Sequence, residues 1–296
     1  MKEERWGNIG SKSAHLTSVH PCYNEKMHFK TARIHLPVAP KCNIQCGYCI
    51  RKIDKCEHRP GVSSGVIKPQ EALERVDKYV KEMENLKVVG IAGPAEALAN
   101  EETFETLRLV HEKYPDLIKC IATNGLLLSE RVDDLKAVGV TSVTVTVNAV
   151  NPETAAKIYH WVRYHDKTYK GLEAAELLVK KQWEGIKAAT EAGLLVKTNT
   201  VLLPEINMEE IEEIAKKAAG YGVAIMNIIP LIPLYDFELS EPPSCEDLNL
   251  VRTLAEEYLP QFRLCQQCRA DAVGVPGEEP CGSPVQKRAQ SEYFHG

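Results

Sequence analysis

No stretch of the 296-residue chain approaches the roughly 20 uninterrupted apolar residues that a bilayer span requires. The opening residues, MKEERWGNIG, carry no apolar core of the kind a secretory signal needs. Basic residues are not in excess either, with Asp+Glu 41 against Lys+Arg 36 and a net charge of −5. Neutralising phosphates demands surplus cation, so a nucleic-acid partner is not expected. There is no internal repeat and no low-complexity tract. These absences predict a cytoplasmic protein with neither membrane nor nucleic-acid partner. Disorder is excluded as well: 44% hydrophobic and 26% charged residues supply enough apolar surface to offset ordering entropy.

What is there is a strand–helix alternation. Short β-branched or aliphatic runs at 31–38, 86–91, 117–123, 141–148, 194–203 and 222–230 read as strands. Helical patterns fall at 69–85, 101–114, 129–138, 152–160, 172–192 and 207–219. Pro69 and Pro152 sit where a first helical turn tolerates proline, and Ser129 reads as an N-cap. Six β–α units without hairpin signals predict a parallel sheet with right-handed crossovers. Six units are too few for a closed eight-stranded barrel. The reading is therefore an α/β fold with an open, six-stranded partial (β/α)6 barrel, a flat doubly wound sheet being the alternative. Residues 1–30 form an irregular N-terminal extension. The barrel covers 31–231, and a Pro-rich linker, a helix near 245–258 and an irregular tail make up 232–296.

Ten cysteines are the outlier, at 22, 42, 46, 49, 56, 120, 245, 265, 268 and 281. A long chain without an export signal uses such cysteines as metal ligands or catalytic groups rather than disulfides. Cys42, Cys46 and Cys49 follow the first strand with C-x3-C-x2-C spacing, at the strand end where α/β folds place their chemistry. Three thiolates can hold three irons of a [4Fe–4S] cube and leave the fourth open to substrate. A zinc site completed by Cys56 or His58 is the competing reading.

With Tyr48 just before the last cysteine, this loop resembles the radical S-adenosylmethionine (SAM) enzymes. The resemblance implies SAM as cofactor on a [4Fe–4S] cluster and a partial barrel as the fold. It also implies that GIAGPAEAL (90–98) is the strand-end motif of that superfamily, with Glu96 accepting the SAM amino group and Gly93 allowing close backbone approach. Ala95 and Ala97 depart from the usual glycine and proline of that motif.

Four segments resemble the NifB family of nitrogenase cofactor maturases: residues 20–49, RPGV (59–62), TVNAVNPE (146–153) and CQQCRADAVG (265–274). That resemblance implies a carbide-inserting enzyme that fuses two further [4Fe–4S] clusters, with an added sulfide, into an eight-iron core. Cluster donors, cofactor carrier or scaffold proteins, an electron donor such as ferredoxin, and an anaerobic setting follow as expectations. So do the roles of the remaining donors. Strand parity places Arg33 and His35 on one face and Ile34, Leu36 and Val38 on the other. Cys22, His35 and Cys120 are assigned to one precursor cluster, with His15 and His20 next in line as the histidine ligand. Cys56, Cys265 and Cys268 are assigned to the other. Thr146 and Asn148, with Asn199, are read as SAM contacts. Glu57 and Arg59, beside Arg51, are assigned to proton movement or charge compensation at the cluster loop. Cys245 and Cys281 are read as incidental. The tail is expected to be ordered only by its cluster. The competing functions are another radical SAM enzyme with auxiliary clusters acting on an organic or peptide substrate, and a non-enzymatic iron–sulfur scaffold.

Overall fold

The computed structural model describes residues 14–277 and the two-residue strand Glu292–Tyr293. Cys281 lies outside the described residues. Six parallel strands carry the fold: β1 (Ala32–His35), β3 (Leu86–Ile91), β4 (Ile118–Thr123), β5 (Val140–Thr146), β8 (Leu195–Leu202) and β9 (Ile225–Pro230). They lie side by side in chain order, forming a half-barrel rather than a doubly wound sheet. A seventh strand from the tail, β10 (Val273–Gly274), pairs antiparallel with β1 at the edge. The longer helices are α1 (Pro69–Glu82), α2 (Glu101–Lys113), α3 (Leu128–Ala137), α4 (Pro152–Ile158), α5 (Gly171–Glu191), α6 (Ile211–Gly220) and α7 (Cys245–Ala255). None is long and apolar enough to cross a membrane.

Alternation along the strands explains the core. Ile34 on β1 and Leu36 just after it are fully buried, in one core with Val76, Val89, Leu107 and Ile121. Pro69 and Pro152 open their helices as expected. Helix α3 is capped at Leu127, not at Ser129, and no side chain bonds its first amides. A hairpin corrects the reading of uninterrupted β–α units. Strands β6 (Tyr159–Tyr164) and β7 (Lys167–Lys170) turn at His165, whose φ is +50°. Strand β2 (Ile44–Cys46), inside the cysteine loop, pairs antiparallel with β6 in a separate three-stranded sheet. The hairpin's alternation is broken by charge, and its turn lacks the Asn-Gly chemistry that announces a tight hairpin.

The tail is fixed by its own polar groups. Arg269 donates to Asp271 Oδ1 at 2.9 Å, to Asp54 O at 2.8 Å and to Glu57 O. Asp271 Oδ2 accepts from Ser64 N at 2.7 Å and Ser64 Oγ at 2.5 Å. Arg75 donates to Asp271 O at 2.7 Å, and Ala272 O accepts from His35 N at 2.8 Å. These bonds hold residues 269–272 across the loop 54–64 and the edge of β1. Cluster binding is thus not the only source of order in this segment, contrary to expectation.

Candidate functional site

One cavity of about 340 Å³ runs from the carboxyl ends of the parallel strands down the inner face of the sheet. Cys42, Cys46 and Cys49 line it from the loop after β1. Pairing of β2 with β6 braces that loop, and Gln45 Nε2 bonds the carbonyls of Cys46 (2.9 Å) and Cys49 (3.0 Å). Burial pushes all three thiols up, Cys42 to about 12, while Arg51 opposes it; its guanidinium lies 3.9 Å from Cys49 Sγ. Such thiols lose their protons to a base only when a strong Lewis acid binds the sulfur, and an iron centre is one.

Glu96 is 3% exposed and lines the same cavity. It accepts from Thr123 Oγ1 (2.5 Å), Asn124 N (2.7 Å) and Leu98 N (3.0 Å). Burial nevertheless raises its pKa, and no cation pairs with it among the described residues. This arrangement suits a cationic ligand group such as an α-ammonium.

Deeper in, His35, Cys120 and Cys22 line the inner wall. Strand register sets His35 opposite Gly90 and Gly90 opposite Cys120. A Cβ on Gly90 would sit 3.1 Å from both Cys120 Sγ and His35 Cδ2, so the glycine leaves space between thiol and imidazole. His35 Nδ1 contacts Arg269 O at 3.0 Å, which leaves Nε2 free to face the cavity. Burial lowers its pKa to about 4, the state a ligating imidazole needs. Burial raises Cys120 to about 12 and also raises Cys22, which interacts electrostatically with both Cys120 and Cys265. Cys265 and Cys268 enter the lining from the tail. Arg33 Nη2 donates to Cys268 Sγ at 3.1 Å.

Several assigned residues stand elsewhere. Cys56 is exposed and outside the lining, in a turn where Asp54 Oδ1 accepts from its N–H at 2.7 Å. His58 is exposed too, and no three His, Cys, Asp or Glu side chains are placed to hold a single metal ion among the described residues. The zinc reading therefore has no site in them. Glu57 is outside the lining, held by Lys52 (2.8 Å) and Arg59 (2.5 Å); Arg59 and Arg51 do line the cavity. Asn148 is fully buried behind the wall. It donates to Tyr48 Oη (2.8 Å) and Tyr159 Oη (3.1 Å) and accepts from Val201 N (2.9 Å). Strand β5 ends at Thr146, so parity no longer predicts direction at 148. Thr146 and Asn199 do line the cavity. Gly93, at φ +125°, allows close approach of the tail, with Ala270 Cβ 3.3 Å from where its Cβ would stand. His15 is exposed, whereas His20 is buried at the cavity. Cys245 is exposed at the start of α7.

Lys197 was not singled out by sequence, yet it lines the cavity at 5% exposure. It shares strand parity with Asn199, and that alternation was the available signal.

Residues 36–218 match the profile of the radical SAM superfamily. The chain is 55% identical over 271 residues to the FeMo cofactor biosynthesis protein NifB of Methanocaldococcus infernus, covering 91% of this chain and 89% of that one. The protein of that name from Methanocaldococcus jannaschii is 54% identical, at 90% of each chain. The Klebsiella pneumoniae NifB is 44% identical over 88% of this chain and 58% of its own. Among solved structures, Streptococcus suis SuiB superposes with a TM-score of 0.55 at 15% identity, over 76% of this chain and 48% of SuiB, which is a likeness of fold alone. Cysteine loop, partial barrel and sequence identity agree that this chain belongs to the NifB family of the radical SAM superfamily.

Proposed function

We propose that this chain, a radical SAM enzyme of FeMo cofactor biosynthesis, joins two [4Fe–4S] precursor clusters around a SAM-derived carbon, with an added sulfide, into the eight-iron core precursor of the nitrogenase cofactor. One observation carries the reading: a single cavity is lined by the loop thiols and by Cys22, Cys120, Cys265 and Cys268 from three other parts of the chain.

Cys42, Cys46 and Cys49 would hold the SAM cluster, and their convergence on one buried wall fits that group. When bound, SAM on its cluster supplies a methyl carbon and one-electron cleavage chemistry for hydrogen abstraction. Glu96 would accept the SAM ammonium, and Thr146 and Asn199 would border the nucleoside. Arg51 and Arg59 offset negative charge beside the loop. The precursor clusters are substrates. Cys22, His35 and Cys120 would seat one, and Cys265 with Cys268 the other. Cys56 would complete the second set only by leaving its exposed turn. Glu57 would act only after releasing Lys52 or Arg59. Cluster donors, a cofactor carrier and a ferredoxin-like electron donor are the expected partners, in an anaerobic cytoplasm.

The test is iron and acid-labile sulfide per chain after anaerobic purification. About twelve irons, three cubes, support the reading; about four would reduce it to a plain radical SAM enzyme. In the Cys42→Ala/Cys46→Ala/Cys49→Ala variant, reductive cleavage of SAM should vanish while the other irons stay. Continued release of 5′-deoxyadenosine would sink the assignment.

A further inference from the structure

Lys197 differs from the other cations of the cavity. Arg51 bonds Gln45 Oε1 at 3.2 Å and Arg59 pairs with Glu57. The Lys197 ammonium lies 5.5 Å from the ring centroid of Tyr23 and 5.4 Å from that of Phe262. Among the described residues it forms no ion pair with a carboxylate. A buried cation without an anion is costly, and two aromatic faces offset only part of that cost. It lines the same cavity as Cys22, Cys120, His20 and His35. A second unmet group stands there. His20 is 3% exposed, its Nδ1 accepts from Cys22 N at 3.1 Å, and its Nε2 has no hydrogen-bond partner. With Nδ1 accepting, the neutral ring carries its proton on Nε2 and is a donor. Both residues belong to the lining of one cavity shared with the thiols, and among the described residues neither the ammonium nor the N–H has an acceptor.

We propose that Lys197 is a substrate-binding residue, its ammonium holding the electron-rich sulfides of the iron–sulfur cluster seated at Cys22, His35 and Cys120. The inference rests on the function proposed above. Thiolates and imidazole fix the irons, and Lys197 fixes the sulfide face and so the orientation of the cube. A fixed cation also favours the more negative, reduced form of the cluster, because cluster potential follows local charge and hydrogen bonds to sulfur. A methionine keeps an unbranched apolar side chain of similar reach and removes only the charge.

The test uses the full chain, reconstituted anaerobically with ferrous iron and sulfide, as wild type, Lys197→Met and Lys197→Arg. Iron and sulfide per chain, the reduction midpoint of the cluster coupled to nitrogen, and the melting temperature of the metal-free chain are read. We expect Lys197→Met to keep the metal-free melting temperature and the irons held by the loop. It should lose most of the irons of the inner cluster, and any that remain should reduce at lower potential. Lys197→Arg should restore loading. A Lys197→Met variant with wild-type iron content and potential would overturn the role, as would one whose only change is a lower metal-free melting temperature. A wild type holding only the loop's irons would overturn the proposed function and this inference together. A fully loaded wild type beside an unaffected Lys197→Met overturns this inference alone.

Discussion

Arg33 reaches across the edge of the sheet to Cys268: Nη2 donates to its sulfur at 3.1 Å while Nη1 donates to Gly274 O at 2.7 Å. One buried guanidinium on β1 thereby aims a thiol of the tail and anchors the strand that follows it. Burial holds Cys268 at about 11, and the arginine opposes a further rise. Arg33→Met should destabilise the metal-free chain by about 3 kcal/mol, the scale of losing charge-assisted bonds in a buried setting. Limited proteolysis should then cut the tail beyond Phe262. Full protection of the tail would assign its anchoring to Arg269 and Asp271 alone.

Glu96→Gln keeps the shape and removes the charge. If the carboxylate receives the SAM ammonium, affinity for SAM in the iron-loaded chain should fall at least about tenfold. Equilibrium binding measures this. Unchanged affinity would remove Glu96 from the contact.

His35 leaves Nε2 free by engaging Nδ1 with Arg269 O. A nitrogen hyperfine coupling should appear by pulsed electron paramagnetic resonance in the iron-loaded chain and vanish in His35→Ala. Persistence of the coupling would move the ligand to His20, which shares the cavity; exposed His15 is outside it.

Acid should weaken the metal-free chain through His20. Burial lowers its pKa from 6.5 to about 3, with Lys197 and His35 adding to the effect. The unfolded chain takes up a proton as pH falls below 6.5 and the folded chain does not until near 3, so stability drops on acidification across that window. The slope is about 1.4 kcal/mol per pH unit from this group. Urea midpoints between pH 6.5 and 4.5 should show it, and His20→Phe should lower the slope by that amount, leaving the share of His35, whose pKa burial lowers to about 4. An equal slope in the variant would assign the acid sensitivity to other groups.

Asn148→Leu should cost about 3 kcal/mol, since it strips bonds from Tyr48, Tyr159 and Val201 N at once and leaves buried polar groups unmet. Denaturant unfolding reads the loss. A change below about 0.5 kcal/mol would mean that water replaces those bonds.

Much of the cavity was legible because strand parity is a strict geometric rule. It put His35 on the inner face, where it lines the cavity with Thr146 and Asn199; Arg33, of the same parity, is outside the lining and bonds the tail instead. Parity failed at Asn148, two residues past the end of its strand. Chain proximity failed at Cys56, because the turn built on Asp54 carries it to the surface. Glu57 was legible as a charge near the loop but not as a residue already paired with Lys52 and Arg59. The anchoring of the tail lay hidden in plain polar letters. Arg269 and Asp271 hold the backbone of Asp54 and Ser64, contacts more than 200 residues apart that no local pattern encodes.

The edge strand Val273–Gly274 bears on folding order. The parallel strands can be added one by one from neighbouring chain segments, but β10 and the thiols before it must return to β1 from 235 to 241 residues away. Loop closure of that span is slow and comes late. An emerging chain therefore exposes Cys42, Cys46 and Cys49 well before Cys265 and Cys268 exist to face them. On the proposed function, the thiols of the loop are therefore complete before the tail brings its own.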